Sequence, residues 1–396
     1  MKHRLQSRLI WYDVSLTRGV FLIVIGMFFM ISLASTMALV QLNQQIKPLK
    51  SIIHTISIDR FVQVVGLENR YLASQIPKRE ENSISDVLVE IATSINPKDP
   101  RSFLGNELPG FSLFDGKILV AGEGTDYTTM PYESAPPLEV IMAEREASLD
   151  AITPEPPPSQ QPVTPSQTTD GKDVVFIYHT HTRESYFPHL KNVDTSNANN
   201  AFHDEVNVTA VGKKLQEELV ERGIGTQLDT TDVMEQLLNK GWEYSSAYKQ
   251  SRSVLEAALT KNRDIHYVID IHRDGFRKDK TTVTINNKPY ARLAFIVGGE
   301  NPNYEKNTAI AKRLHELLEE KYPGLSRGII EKAGQGTNGV FNQDLSNNAL
   351  LVEFGGVDNN FEELYRSAEA FADVFSEFYW QAEMVYVPQN SDQSKS

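Results

Sequence analysis

Residues 174–185 read Val174-Val175-Phe176-Ile177-Tyr178-His179-Thr180-His181-Thr182-Arg183-Glu184-Ser185. The apolar run at its start suits a strand buried on both faces, as parallel strands in α/β sheets are. The polar run that follows at once sets two imidazoles and a carboxylate at the strand's carboxyl end. In open α/β sheets that edge is where ligands bind.

Downstream the same arrangement recurs twice. His266-Tyr267-Val268-Ile269-Asp270-Ile271 reads as a second buried strand and runs into His272-Arg273-Asp274. Ala349–Phe354 reads as a third, with Glu353 near its end. Between them the period changes to that of helices. Val211, Leu215 and Leu219 share one helix face, which Gly223 closes in a left-handed C-cap. A second helix covers about 244–259, a third runs from Thr308 to Tyr322 and stops at Pro323-Gly324, and a last one aligns Leu364, Ala368, Phe371, Phe375 and Phe378. Asn286-Asn287-Lys288 marks a hairpin turn, and a further strand lies near Gly328–Glu331 ahead of a glycine-rich loop. The expected fold is α/β, a mixed and mostly parallel sheet flanked by helices.

Upstream, Thr153–Lys172 is rich in Pro, Ser, Thr and Gln, cannot bury a core, and reads as an extended linker. The catalytic domain is therefore expected at 173–385, with a disordered tail at 386–396. Val20–Val40 has no charged residue and is long enough to cross a hydrocarbon core of ~30 Å. Lys2, Arg4, Arg8 and Arg18 precede it, so residues 1–19 are expected in the cytoplasm and everything beyond residue 40 outside. The apolar run exceeds the ~7–15 residues of a signal-peptide core, which favours a retained anchor over a cleaved leader. Residues 41–152 contain a helix around Ile46–Leu67 and short apolar pieces, with no catalytic constellation and no role that the residues define.

A formal net charge of -13 and the lack of any basic stripe argue against nucleic acid as a partner. The absence of cysteine removes disulfides, thiolate metal sites and cysteine nucleophiles, leaving His, Asp and Glu as the strong side-chain ligands. Of nine histidines, seven follow the linker. Histidines from two strand ends plus one carboxylate would leave a coordination position open, the arrangement of a catalytic rather than a structural zinc site. Glu353, a charge ending an apolar strand, would then exchange protons with the reacting groups. Each signal has an ordinary structural counterpart: loop histidines often only hydrogen-bond, and a buried glutamate is often satisfied by backbone donors. His189, His203, His266 and His315 are read in that ordinary way.

The chain closely resembles the stage II sporulation protein P family of endospore-forming bacteria, which is related to zinc-dependent N-acetylmuramoyl-L-alanine amidases. The resemblance runs from Asp173 to about Trp380, through YHTHTRESY at 178–186, NVTAVGKKLQEELVERGIG at 207–225, VIDIHRDG at 268–275 and LLVEFGG at 350–356. It implies a membrane-anchored hydrolase that cleaves the amide between muramic acid and L-alanine, with endopeptidase action on the peptide cross-links as a further expectation, during septal thinning and engulfment. It also implies sporulation proteins D and M of the same stage as partners. By the same resemblance His181 and His272 match the zinc histidines and Glu353 the catalytic glutamate. Glu184 is the first choice for third ligand and Glu205 the second; His179 is an alternative to His181, and Arg273 is a candidate for orienting ligands or substrate. Two other readings compete: an anchored cell-wall scaffold without activity, and a metal-dependent glycan deacetylase.

Overall fold

The computed structural model describes residues 116–143, 146–152, 165–334 and 337–386. The expected cytoplasmic N-terminus, membrane span at 20–40, helix at 46–67, linker centre at 153–164 and tail beyond residue 386 lie outside the described residues. No helix among the described residues is long and apolar enough to cross a membrane.

The strands are β1 (Lys117–Ala121), β2 (Asp173–Tyr178), β3 (Gly225–Leu228), β4 (Tyr267–Asp274), β5 (Thr282–Ile285), β6 (Lys288–Ala291), β7 (Leu293–Gly298), β8 (Ser326–Lys332) and β9 (Ala349–Gly356). The longer helices are α1 (Thr209–Glu221), α2 (Val233–Lys240), α3 (Ala247–Lys261), α4 (Tyr304–Lys321) and α5 (Phe361–Tyr386). Seven strands form one sheet in the order β1-β8-β7-β9-β4-β2-β3. The pairs β2/β3, β2/β4, β4/β9 and β7/β8 are parallel, whereas β7/β9 and β1/β8 are antiparallel. The sheet is mixed and mostly parallel, as the sequence pattern predicts.

Period-two alternation decides what each face carries. On one face Val175 and Ile177 of β2, Ile269 and Ile271 of β4, and Leu350, Val352 and Phe354 of β9 join a core with Val211, Leu215 and Leu219 of α1, Leu314 and Leu318 of α4, and Phe371 and Phe375 of α5. On the other face Phe176, Tyr178 and Val268 pack against Leu255 and Ala258 of α3. The polar members of the same alternation, Asp270, His272 and Glu353, fall on this second face. Parallel pairing places the carboxyl ends of β2, β4 and β9 together, and the β4/β9 register sets His272 directly opposite Glu353.

Local signals hold at two turns. Gly223 has φ +81° and closes α1 through the Gly223 N–H to Val220 and Ile224 N–H to Leu219 bonds; a Cβ there would meet the Gln167 carbonyl at 2.0 Å. Asn286 and Asn287 both take positive φ, +50° and +60°, in the two-residue turn joining β5 to β6.

The sheet also draws on a segment ahead of residue 173, where the sequence pattern places the start of the domain. β1, upstream of the linker, pairs antiparallel with β8 at the sheet's edge. Its short run, half-buried in the middle and exposed at both ends, carries too weak an alternation to register as a strand in sequence.

His189 has a structural task. Its Nε2 accepts the N–H of Phe361 at 3.0 Å, and the ring stacks on Phe361 at 4.6 Å, so it satisfies the first donor of α5. Burial pushes its pKa down to about 4, from 6.5. The folded chain thus holds it neutral where the unfolded chain would protonate it. Its contribution to stability is complete above about pH 6.5 and is lost as pH falls toward 4. Urea midpoints at pH 7 and pH 5 should differ more for the wild type than for His189→Gln; equal shifts would refute this role.

Candidate metal centre

β2 ends at Tyr178, and the chain then turns so that His179 and His181 point to different places. His179 is buried, with Nδ1 3.3 Å from the Asp229 carbonyl and its ring against α1, where a Cβ on Gly212 would come within 2.4 Å of Nε2. Gly212 is what lets the ring lie there. Burial lowers the pKa of His179 to about 4, and the structure keeps it out of the centre.

His181 goes the other way. Its Nδ1 lies 3.7 Å from Glu184 Oε1 and 4.0 Å from Glu133 Oε2. His272 Nδ1 lies 3.8 Å from Glu184 Oε2, and the two imidazole centroids are 5.0 Å apart. Ligand atoms of Glu133, His181 and His272 all lie within 4.8 Å of one another. Tyr244 stacks on His181 at 4.7 Å and Tyr248 stacks on His272 at 6.0 Å, so aromatic faces from the start of α3 and the turn before it fix both rings.

Outer contacts orient the inner groups. His272 Nε2 sits 3.1 Å from Asp270 Oδ1, leaving Nδ1 to face Glu184. Asp270 is itself held by the Thr180 N–H at 2.9 Å and the Thr180 hydroxyl at 2.6 Å. The backbone N–H of Arg273 donates to Glu184 Oε2 at 2.9 Å. The guanidinium of Arg273 faces away, donating to Ser134 Oγ at 2.9 Å and the Ala201 carbonyl at 3.0 Å, so Arg273 braces the centre without facing the cleft.

The test of fit is what these groups lack. Buried polar atoms are almost always paired. Yet His181 Nδ1, both ring nitrogens of His272, Glu184 Oε1 and Glu353 Oε2 are buried without a hydrogen-bond partner. Unpartnered imidazole nitrogens facing carboxylate oxygens at just under 4 Å match the donor types that a divalent cation of borderline-soft preference takes. The local charge agrees. Burial works against the ionised form of Glu184, but His181, Arg273 and His272 hold its pKa below the usual carboxylate value. Burial also opposes a charged His272, yet Asp270, Glu184 and Glu353 raise its pKa to about 10. Burial, together with Glu184, Asp274 and Glu133, pushes Glu353 well above the ordinary value against the pull of His272. The common cause of both shifts is carboxylates crowded together, a concentration of negative charge that a cation would offset.

Glu353 and His181 open onto a cavity of about 670 Å³, lined also by Glu133, Tyr244, Tyr248 and Phe341. Glu205 does not reach it. That side chain is exposed and lines a different cavity, beside Arg183 and His203. The structure therefore brings His181, His272, Glu184 and Glu353 together and leaves out His179 and Glu205. Sequence reasoning passed over Asp270, although its position two residues before His272 on one strand face signals a partner. It also passed over Glu133, Tyr244 and Tyr248. Nothing local marks Glu133, which lies before the linker in a segment without periodicity.

Fold and site together define a mixed α/β protein with a buried imidazole and carboxylate centre at the carboxyl edge of its sheet. The stage II sporulation protein P (SpoIIP) family profile matches residues 98–376, and the chain belongs to that family. It is 51% identical over 330 residues to stage II sporulation protein P of Bacillus subtilis (strain 168), covering 83% of this chain and 82% of that protein. Among solved structures it is similar to the N-acetylmuramyl-L-alanine amidase Ami1 from Mycobacterium smegmatis, at 14% identity over 53% of this chain and 97% of that one, with a TM-score of 0.30. The apo form of Ami1 from Mycobacterium abscessus gives 13% identity, 52% and 99% coverage, and a TM-score of 0.29.

Asp270 offers a direct test of the centre. Loss of a carboxylate behind a ligating histidine lowers metal affinity about 10–100-fold. Asp270→Asn is expected to weaken zinc binding by that order in chelator competition, with Glu205→Gln at the wild-type value. Equal affinities in all three proteins would rule out the centre as drawn.

Proposed function

We propose that this protein is a membrane-anchored, zinc-dependent hydrolase that cleaves the amide between muramic acid and L-alanine in peptidoglycan during sporulation, with peptide cross-links as a second substrate. The single observation that carries the reading is the convergence of unpartnered buried atoms of His181, His272 and Glu184 beside Glu353. Family membership supplies the biological setting of septal thinning and engulfment.

The residues have distinct tasks. His181, His272 and Glu184 would hold the cation, with Glu133 on the cavity side. A zinc ion bound there would polarise the scissile carbonyl and favour ionisation of an attacking water. Glu353, across from His272 in the β4/β9 register, accepts the proton of that water and later delivers it to the departing amine of L-alanine. Asp270 keeps Nδ1 of His272 turned inward. Tyr244 and Tyr248 wall the cleft and exclude water from one side of the two imidazoles. Removing the carboxylate of Glu353 takes away the proton carrier without touching a ligand.

The N-terminal apolar segment would tether the domain outside the cytoplasmic membrane, within reach of the wall, and sporulation proteins D and M are the expected partners. Glu353→Gln should reduce digestion of purified peptidoglycan by about 10²–10⁴-fold while zinc measured by mass spectrometry stays at the wild-type level. Wild-type products should be free stem peptides carrying an amino-terminal L-alanine. Undiminished digestion by Glu353→Gln would remove this residue from the reaction, and acetate as the wild-type product would replace the amidase with a deacetylase.

A further inference from the structure

Glu133 reaches the centre because residues 129–135 are fastened across the edge of the sheet by polar groups belonging to the site's own strands. Arg327 of β8, fully buried, donates to Asp274 and to the Thr129 carbonyl. Asp274 Oδ1 in turn accepts the Tyr132 N–H at 3.3 Å. Gly275 donates its N–H to the Tyr132 carbonyl at 3.0 Å, and the Tyr132 hydroxyl donates to the Gly275 carbonyl at 2.9 Å. Arg273 grips Ser134, and Met130 is fully buried with Tyr248 and Ile296. The strap is thus tied down by hydrogen bonds and burial on both sides of Glu133.

The Glu133 side chain itself is held differently from that of Glu184. Glu184 is fully buried and fixed by a backbone donor, whereas the Glu133 side chain is 32% exposed and is held by the Tyr248 hydroxyl at its other oxygen. Glu133 also stands on the wall of the 670 Å³ cavity into which Glu353 opens. Glu133 and Glu353 therefore present their carboxylates to the same cavity.

We infer that Glu133 is a displaceable ligand of the centre: it completes the shell of the cation in the resting protein and gives up that place to the entering peptidoglycan carbonyl. The inference rests on the zinc-hydrolase reading and adds to it a carboxylate supplied from ahead of the linker. An internal ligand that occupies the substrate's place lowers apparent substrate affinity in proportion to the fraction of time it leaves that place free. The same ligand raises affinity for the cation. The two effects oppose each other, and that opposition distinguishes a displaceable ligand from a purely structural residue.

The experiment uses the full-length chain in detergent, as wild type and as Glu133→Gln, Glu184→Gln and Glu205→Gln. Zinc Kd is read by competition with a chromophoric chelator, and kcat and KM are read on a soluble muramyl-peptide fragment at saturating zinc. For Glu133→Gln the expected result is a zinc Kd raised about tenfold or more, a KM lowered severalfold, and a kcat within about threefold of wild type. An unchanged zinc Kd in Glu133→Gln, with Glu184→Gln still impaired, would overturn the inference and leave the hydrolase standing. A collapse of kcat in the zinc-loaded Glu133→Gln protein would overturn it too, by making the residue indispensable rather than displaceable. If Glu184→Gln also binds zinc like the wild type, the underlying centre fails and takes the inference with it.

Discussion

Four carboxylates, Glu133, Glu184, Asp270 and Glu353, stand around two imidazoles at the carboxyl edge of the sheet, and three of the four are buried. Burying like charges so close together is costly unless positive charge accompanies them. The nearby arginines supply it only in part: the charge of Arg273 favours ionised Glu184, but its guanidinium turns toward Ser134 and Ala201, and Arg327 turns toward Asp274 and Thr129. Protons on His272 and Glu353 can meet part of the need. A divalent cation meets it more fully, because it also satisfies the nitrogen and oxygen atoms that have no hydrogen-bond partner.

The rest of the domain can be understood as scaffolding for that concentration of charge. Strand alternation puts the aliphatic members of β2, β4 and β9 under α1, α4 and α5 and turns Asp270, His272 and Glu353 to the opposite face. On that face α3 contributes Tyr248, and the turn before it Tyr244, as flat walls for the imidazoles. A one-residue slip of β4 against β9 would send His272 or Glu353 into the apolar core, so the core on one face specifies the chemistry on the other.

Much of this was legible in the chain because it is local. Runs such as Val174–Tyr178 and Ala349–Phe354 announce buried strands, and a polar residue ending such a run stands out against its surroundings. The choice of His181 over His179 came from the family resemblance and not from any local pattern. His179 and His181 differ by two residues in a loop, where strand alternation no longer applies, and only the packing of Gly212 against the His179 ring separates them. β3 and α2 were missed as short elements, and β1 was missed because an edge strand needs only weak apolar character. Glu133 was illegible for a deeper reason: its role comes from contacts across the linker, over sequence separations such as the 139 residues between Ser134 and Arg273.

Those long-range contacts are mostly polar, which bears on what kind of attachment the upstream strap is. An apolar segment would dock wherever hydrophobic surface allowed, with loose register. The Arg327–Asp274 pair and its bond to Thr129 permit one register only, since a shift of one residue would leave a fully buried guanidinium short of an acceptor. Buried ion pairs contribute little net stability relative to apolar packing, yet removing one partner costs about 3–5 kcal/mol. Placement is therefore what this pair secures. The carboxylate that most needs accurate placement on that segment is Glu133, four residues beyond Thr129, on the wall of the cavity that Glu353 also lines.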